Sequence, residues 1–159
     1  MARVGTGTLT FTDADNGTLS VVINGAPGSK FITRTVFATG TTLPAVDYTD
    51  LWWNPNETGW GVSLTQEFGI IVAVWFAYDA NGKPVWYVAS SCPVSGNACT
   101  GDLYQVTGGS ALTAAWNNSG IVVTKVGTVT FAFTDANNGL MSYSGNGVTG
   151  NRVITRLGF

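Results

Sequence analysis

The first residues of this chain return near its end. Residues 4–37 align without a gap on residues 126–159, and 18 of the 34 positions are identical. A constant offset of 122 residues (126 − 4) without an insertion indicates an internal duplication rather than shared composition. The chain therefore holds two copies of one unit, with a different central block at residues 50–125 between them. This organisation indicates either a segment of a tandem array or a domain with a duplicated flank.

Composition favours a single β domain. The 159 residues leave room for one domain with a real core, so we predict one domain over residues 1–159. Apolar residues make up 45% of the chain, which excludes general disorder, and charged residues make up only 10%. Gly is abundant, whereas the helix formers Lys, Glu and Gln are scarce. We therefore expect strands and tight turns.

The charge and hydropathy patterns exclude two classes of partner. A net charge of −2 with seven Lys and Arg argues against nucleic acid, whose phosphates need clustered cations. The longest apolar run, Ile70–Tyr78, is about half the length of a membrane-spanning helix. We predict no nucleic-acid partner and no membrane insertion.

Both copies of the repeat alternate with a period of two residues. Leu9 and Phe11 in the first copy, and Phe131 and Phe133 in the second, face away from the Thr residues that surround them. Such alternation predicts half-buried strands, and Asn-Gly pairs predict hairpin turns at 16–17, 24–25, 138–139 and 146–147. Each copy is thus predicted to be a three-stranded meander, with final strands at residues 31–37 and 153–159.

The central block also shows the alternation that predicts strands. Residues 60–67 alternate, and Ile70–Tyr78 is apolar on both faces, as in a strand that is covered on each side. Further strands are predicted at residues 85–91, 102–107 and 121–125, and no helix longer than one turn is expected. Consecutive hairpins without crossovers predict an all-β antiparallel fold, either a sandwich or an up-and-down barrel.

Each predicted meander needs a partner for its apolar face. Either the two copies flank the central block in one pseudo-symmetric domain, or residues 4–37 pack on a neighbouring chain and can propagate a filament. The polar stretch at residues 38–50, which contains Pro44, is predicted to be a linker. Its shortness favours packing within the chain.

Two cysteines bear on the cellular compartment. Cys92 and Cys99 enclose a short loop rich in turn-forming residues. So close a pair predicts a disulfide that staples a hairpin tip, as in secreted proteins; the alternative is two free thiols in a cytosolic protein. Met1-Ala2-Arg3 holds no signal peptide and is interpreted as a start placed on an excised mature segment. We expect a secreted or cell-surface protein.

Five of the six Trp residues lie between positions 52 and 86. Trp52 and Trp53 are adjacent, so on an extended backbone they point to opposite faces. The turn at residues 54–59 adds amides and a carboxylate, and this combination beside aromatic rings suits sugars, although the rings could equally pack in a core. The aromatic residues downstream in the same block belong to this candidate patch; they are Trp75, Tyr78, Trp86 and Tyr87. The candidate ligand-binding residues are Asp50, Trp52, Trp53, Asn54, Asn56, Glu57, Trp60, Tyr78 and Trp86.

No catalytic constellation is present. The absence of His removes Ser-His-Asp and Cys-His systems and any His-based zinc or iron site. A carboxylate pair such as Glu57 and Glu67 is the remaining glycosidase option, and two of nine carboxylates are easily named by chance. The Asp13 and Asp135 segments resemble the start of a calcium loop without its distal Glu, so we predict hairpin turns. We predict no enzyme activity, no cofactor and no metal site.

Three runs carry a resemblance to a known kind of module. They are DYTDLWWNPNETGWGVSLTQ at residues 47–66, WFAYDANGKPVWYVAS at residues 75–90, and the closing VGTVTFAFTDANNG element with its later ITR. Together they resemble a Trp-rich repeat module of secreted bacterial proteins, in which such units occur in tandem or beside other domains. The resemblance covers nearly the whole chain, and its WWNPNE-x-GWG core is specific. It implies secretion and modular organisation, and it transfers no activity or site.

Two functions from different classes therefore stay open. The first is a non-catalytic extracellular module that binds glycans, or another extracellular ligand, through the aromatic and Asn-rich turn. The second is a structural repeat that self-associates through the repeated meander into a surface array or filament. A small-molecule barrel of the lipocalin or avidin kind would also explain aromatic side chains that point inward.

Overall fold

The computed structural model describes residues 3–158. Met1 and Ala2, which the sequence assigns to an added start, and Phe159, the last residue of a predicted strand, lie outside the described residues. No α-helix occurs in this described part, so none is long and apolar enough to span a membrane, and the all-β prediction is confirmed. One 3-10 turn lies at Asn118–Gly120. The strands are β1 (Gly5–Phe11), β2 (Asn16–Ile23), β3 (Ala26–Thr33), β4 (Asp50–Trp53), β5 (Gly61–Glu67), β6 (Ile70–Tyr78), β7 (Pro84–Ser95), β8 (Ala98–Thr107), β9 (Val122–Phe133), β10 (Asn138–Gly145) and β11 (Val148–Arg156).

These strands divide between two compact units. The smaller unit holds residues 3–36 and Thr107–Val122, and the larger holds Phe37–Val106 and residues 123–158. The two copies of the repeat therefore lie in different units. The expectation of one domain over residues 1–159 stays a prediction.

The larger unit is a closed barrel of eight antiparallel strands. Its strands follow chain order from β4 to β11, and β11 pairs with β4 through Thr155–Trp53 and Arg156–Trp52 to close the sheet. Consecutive hairpins give each strand its neighbours without a crossover, so the fold is the up-and-down barrel rather than the sandwich. Closure removes the free edges that an open sheet would expose.

Side chains that alternate inward fill the barrel. Tyr48 stacks on Phe133 with ring centroids 3.6 Å apart, and the Trp52 ring lies tilted 5.2 Å from the same Phe. These three rings fill the interior near the β9–β10 turn. The side chains that are at most 2% exposed are Trp52, Val62, Leu64, Ile71, Ala73, Ala89, Cys92, Leu103, Val129, Phe131, Phe133, Met141 and Ile154.

The stretch predicted as a linker, residues 38–50, is bound to the barrel. The Glu67 carboxylate accepts a hydrogen bond from the Ala38 amide at 3.0 Å, and Gln66 Oε1 accepts one from the Tyr48 amide at 2.9 Å. Tyr48 itself is 6% exposed. The segment is therefore not a free linker, because two acceptor side chains at the end of β5 fix its backbone.

The smaller unit holds the antiparallel sheet β1-β2-β3 together with residues 107–122. Within residues 3–158, no strand pairs with the outer side of β3. Residues 107–122 approach β3 before its last residues: Leu112 lies close to Gly28, and the ammonium of Lys30 in mid-strand donates to the Ala114 carbonyl. The first copy thus forms the predicted three-stranded meander without joining the barrel sheet. The final strands were predicted too late in the sequence, because β3 spans Ala26–Thr33 rather than 31–37 and β11 spans Val148–Arg156 rather than 153–159.

Cys92 and Cys99 form the predicted disulfide, with Cα atoms 5.3 Å apart. The β7–β8 hairpin places them near its tip, where Val94 pairs with Cys99 and Ser95 with Ala98. Both half-cystines are buried. Such a bond is compatible with an extracellular location.

Candidate ligand-binding site

Trp52 lies in the barrel core, where it is 1% exposed. Its Nε1 donates to the Tyr48 carbonyl at 3.0 Å, and the Arg156 guanidinium lies 5.1 Å above the ring centroid. Trp53 is half-buried and follows Trp52 on the alternate side of β4, as the alternation predicts. An indole enclosed in this way cannot stack on a sugar. We therefore remove Trp52 from the candidate site as a packing residue.

Asp50 is engaged in closing the barrel. Its carboxylate lies 3.2 Å from Arg156 Nη1. The same guanidinium donates to the carbonyls of Asp47 at 2.8 Å and Thr49 at 3.2 Å. These bonds join the start of β4 to the end of β11, so Asp50 stabilises the wall and does not face a ligand cavity.

The turn after β4 is ordered by its own polar groups. Asn54 Oδ1 accepts from the Asn56 amide at 3.0 Å, and the Asn54 carbonyl accepts from the Glu57 amide at 3.0 Å. Gly59 has a φ of 109°, which L side chains rarely adopt, and its backbone completes the turn. The two Asn residues therefore shape the turn that presents Glu57 and Trp60.

A cavity of about 440 Å³ opens at the end of the barrel that carries the β4–β5, β6–β7 and β10–β11 turns. Of the predicted site residues, Trp60 and Tyr78 line it. Leu103, buried in the barrel, adds an apolar surface. The other main contributors are the rings of Trp75, Tyr87 and Tyr143 and the polar side chains of Asp79, Asn146 and Arg152.

Three strands supply the aromatic wall of this cavity. The Trp75 ring lies 5.3 Å from Tyr87 and 4.7 Å from Tyr143 between centroids, with interplanar angles of 40° and 51°. Asn146 Nδ2 lies 3.5 Å from the Tyr87 hydroxyl. The Trp75 Nε1 is buried and has no hydrogen-bond partner within residues 3–158. Tilted rings of this kind present apolar faces and edges to a ligand, with an amide beside them.

Glu57 connects the turn with the cavity. Its Oε2 accepts from Trp60 Nε1 at 3.1 Å and lies 3.2 Å from Arg152 Nε. The Glu57 and Arg152 side chains are 45% and 42% exposed, so their ion pair adds little stability in water. Its effect is positional, because it orients the Trp60 ring and holds a guanidinium at the mouth of the cavity.

Trp86 lies away from this cavity. It pairs across the β6–β7 hairpin with Phe76, and the two side chains are 43% and 52% exposed. Tyr78 borders both the cavity and a shallower hollow beside Trp86. The structure therefore brings together Glu57, Trp60 and Tyr78, and it separates Trp52, Asp50 and Trp86 from them.

Trp75 and Tyr87 were assigned to the aromatic patch from the sequence but not to the ligand-binding residues, and Tyr143 and Arg152 were not singled out at all. A signal for two of them was available, because Trp75 lies two positions after Ala73 and Tyr143 two positions after Met141, on the buried parity of their strands. Following the inward parity to the end of each strand would have found them. Arg152 carried no such signal, since its position depends on how β11 closes the barrel.

The Asp13 and Asp135 segments are hairpin turns, as predicted. Asp13 Oδ1 accepts from the Asp15 amide at 2.8 Å, and Asp135 Oδ1 accepts from the Asn137 amide at 2.7 Å. These backbone hydrogen bonds, followed by those from the side chain of the Asn three residues on, hold the pKa of each carboxyl below its ordinary value. Both carboxylates are thus occupied in fixing their own turns.

Comparisons with protein-family models, with curated proteins and with solved structures find no match to this chain.

Proposed function

We propose that this protein is a non-catalytic binding module that holds a small, largely uncharged ligand in the aromatic cavity of the barrel. The cavity of about 440 Å³, with five aromatic rings beside a guanidinium and an amide, is the observation that carries the proposal. Its volume falls within the roughly 300–1,000 Å³ typical of small-molecule sites. Apolar walls with a few convergent polar groups are the usual composition of such sites.

A sugar is the ligand class that this lining suits best. The C–H face of a pyranose ring stacks on an indole or phenol ring, and Trp60 at the mouth offers such a face. Ring hydroxyls need donors and acceptors, which Arg152, Asn146 and Asp79 provide on the same cavity. A purely apolar ligand would also leave the buried Trp75 Nε1, which has no partner within residues 3–158, without an acceptor. In this proposal, the terminal sugar of a glycan enters the cavity between Trp60 and the β10–β11 turn.

The proposal includes no catalytic step and no cofactor. Of the two carboxylates considered for glycosidase chemistry, Glu57 is held by Trp60 and Arg152. Glu67 accepts hydrogen bonds from two consecutive backbone amides, including that of Ala38. Each carboxylate thus has partners that give it a structural role, which supports the proposal of a non-catalytic module.

The same proposal places the protein outside the cell, as a secreted or surface protein of bacterial type. The Cys92–Cys99 disulfide supports this location, because such bonds persist in oxidising compartments. The resemblance of the Trp-rich block to modules of secreted bacterial proteins agrees with it.

Screening the full chain against a panel of immobilised oligosaccharides tests the function. Two variants control the site: Trp60→Ala removes a ring from the cavity, and Trp86→Ala removes one from the outer face. We expect the first to weaken binding at least about tenfold and the second to leave it unchanged. Retention of binding by Trp60→Ala, or loss only in Trp86→Ala, would contradict the site. Failure of the wild-type chain to bind any saccharide would overturn the ligand class.

Self-association is a second candidate function, and one observation favours it. Leu9 and Phe11, on the apolar face of the smaller unit, are 57% and 66% exposed. Soluble proteins rarely leave neighbouring large apolar side chains on a sheet uncovered without a use. The structural repeat proposed from the sequence therefore stays a proposal for this unit.

A further inference from the structure

The smaller unit carries a hollow of about 210 Å³ beside Phe11 and Arg34, at the end of β3. Eight residues line it, and seven of them are identical to the residues 122 positions later in the barrel. The exception is Asp15, whose counterpart is Asn137. The barrel therefore shows how the same set of side chains behaves when it is covered.

In the barrel, the segment at residues 47–53 covers these counterparts. The Tyr48 ring stacks 3.6 Å from Phe133, the counterpart of Phe11. Trp52 pairs in register with Arg156, the counterpart of Arg34, whose guanidinium lies 5.1 Å over the indole. One Tyr and one Trp, four residues apart on an extended segment, thus fill this position.

The backbone frame that receives them is the same in both units. The Arg34 amide donates to the Asp15 carbonyl at 2.6 Å, and the Arg156 amide donates to the Asn137 carbonyl at 2.8 Å. Arg34 Nη2 also donates to the Ala14 carbonyl at 2.9 Å, and Arg156 Nε donates to the equivalent Ala136 carbonyl at the same distance. The residues that hold the β4 segment in the barrel therefore stand in the same arrangement in the smaller unit.

In the smaller unit, this arrangement is open. Phe11 is 66% exposed, whereas Phe133 is 1% exposed. The Arg34 side chain is 60% exposed and forms an ion pair with Asp15 at 2.9 Å. The outer edge of β3 has no paired strand among the described residues, and the unit's own residues 107–122 approach β3 before its last residues, near Gly28.

We propose that this edge is a docking site for an extended strand of a separate polypeptide with the pattern Asp-Tyr-x-Asp-x-Trp. The strand pairs with the end of β3, its Tyr stacks on Phe11, and its Trp lies under the Arg34 guanidinium. Main-chain hydrogen bonds at a sheet edge supply affinity, and side-chain pockets supply specificity, as in other cases of strand addition. The acidic residues of the strand complement Arg34. This site is independent of the cavity in the barrel.

The β4 segment of a second copy is not the expected donor. Its Trp52 is 1% exposed, and β4 already pairs with β5 and β11. A second copy would have to open its barrel to offer this strand. The occupant is therefore a separate partner that carries an unpaired strand of the same chemistry.

A labelled peptide with the sequence of residues 46–55, titrated into the full chain and followed by fluorescence anisotropy, tests the site. We expect saturable binding that Arg34→Ala weakens at least about tenfold, because the truncation removes the cation and its hydrogen bonds. Lys30→Ala, four positions before Arg34 in the middle of β3, should leave binding unchanged. Asp15→Asn removes the carboxylate that competes for Arg34 and should tighten binding about two- to fivefold.

The peptide offers its own control, since replacing its Tyr and Trp by Ala should abolish saturation. Amide shifts on binding should map to Gly17 and residues 32–35. Equal affinity for the substituted peptide, or equal binding to the wild-type chain and Arg34→Ala, would overturn the proposal. Shifts confined to β11 would overturn it as well, because they would mean displacement of β4 from the barrel. If the full chain forms a concentration-dependent dimer that Arg34→Ala abolishes, the occupant is a second copy of the chain and the proposal of a separate partner is wrong.

Discussion

The two copies of the repeat form the same three-stranded meander and differ in what covers them. β1-β2-β3 pairs Phe11 with Gly17, and β9-β10-β11 pairs Phe133 with Gly139, so the registers agree at the 122-residue offset. Phe133 is buried in the barrel at 1% exposure, whereas Phe11 is 66% exposed. A meander with one apolar face is therefore only part of a fold, and its neighbours decide whether that face becomes a core.

Side-chain volume at the inward positions explains why the second copy suits the barrel. Val129 and Phe131 point into the core, where the first copy has Gly7 and Leu9. Tyr143 forms part of the cavity wall, where the first copy has a Val. The smaller side chains of the first copy would leave voids in the same barrel, and each void lowers the free energy of unfolding. The side chains of the first copy are therefore less suited to the barrel core, and its apolar face stays exposed.

The largest expected difference between the two meanders comes from the matched variants Phe133→Ala and Phe11→Ala. The first removes a fully buried ring and should lower the free energy of unfolding of the barrel by about 3–5 kcal/mol. The second removes an exposed ring and should change stability by less than about 0.5 kcal/mol. Native-state hydrogen exchange of each unit measures both. Similar losses for the two variants would mean that Phe11 is covered in solution.

Removal of the disulfide should affect only the barrel. The double variant Cys92→Ser, Cys99→Ser releases a short loop and should lower the free energy of unfolding of the barrel by about 2–3 kcal/mol. Amide exchange in β1-β2-β3 should not change, since both cysteines lie in the larger unit. Urea unfolding and hydrogen exchange provide the two readings, with Ser95→Ala as the control in the same hairpin. A parallel loss of protection in β1-β2-β3 would show that the units unfold together.

Arg156→Ala and Arg34→Ala compare the same arginine in its covered and open settings. Arg156 bonds to Asp50 and to two carbonyls of the adjacent segment, so its loss should cost about 1.5–3 kcal/mol. Arg34 forms an exposed ion pair with Asp15, so its loss should cost at most about 1 kcal/mol. Chemical denaturation of the barrel and hydrogen exchange of β3 report the two values. An equal loss at both positions would remove the distinction between a closed and an open edge.

The smallest expected difference concerns Asp13 and Asp135, where the two copies should agree. Turn hydrogen bonds hold both folded-state pKa values below the ordinary 3.8, so the contribution of each carboxylate is present above that value. It should be lost as the pH falls below 3.8 through the lower folded-state pKa. Titration of the carboxyl carbons by NMR measures both. A pKa at or above 3.8 in either copy would contradict the turn geometry.

Local pattern was enough to predict most strands, the Asn-Gly turns at 24–25 and 146–147 and the disulfide, because hairpin folds follow from near-neighbour residues. The turns predicted at 16–17 and 138–139 were wrong, because these Asn-Gly pairs begin β2 and β10 and the chain reverses just before them. The linker prediction failed for a non-local reason: residues 38–50 looked polar and loose, yet Gln66 and Glu67 bind their backbone. The assignment of the first copy to a separate sheet also depends on long-range closure between β11 and β4. Such pairing has no signature within either strand alone.

The candidate site shows the same limit. Alternation required Trp52 and Trp53 to face opposite ways, but only pairing with β11 determines that Trp52 is the buried one. Glu57 and Trp60 were predicted as a turn and are joined by a hydrogen bond. Their neighbours Tyr143 and Arg152 come from strands more than eighty positions away, and closure of the barrel brings them to the same cavity.

The indole N–H signals of the six Trp residues in an NMR spectrum of the full chain test the binding function most directly. On addition of a saccharide from the screen, the signals of Trp60 and Trp75 should move in a saturable manner, because both rings line the cavity. Those of Trp52 in the core and of Trp86 and Trp116 on the surface should stay in place. Saturable movement of Trp86 or Trp116 with Trp60 unchanged would contradict binding in the barrel cavity.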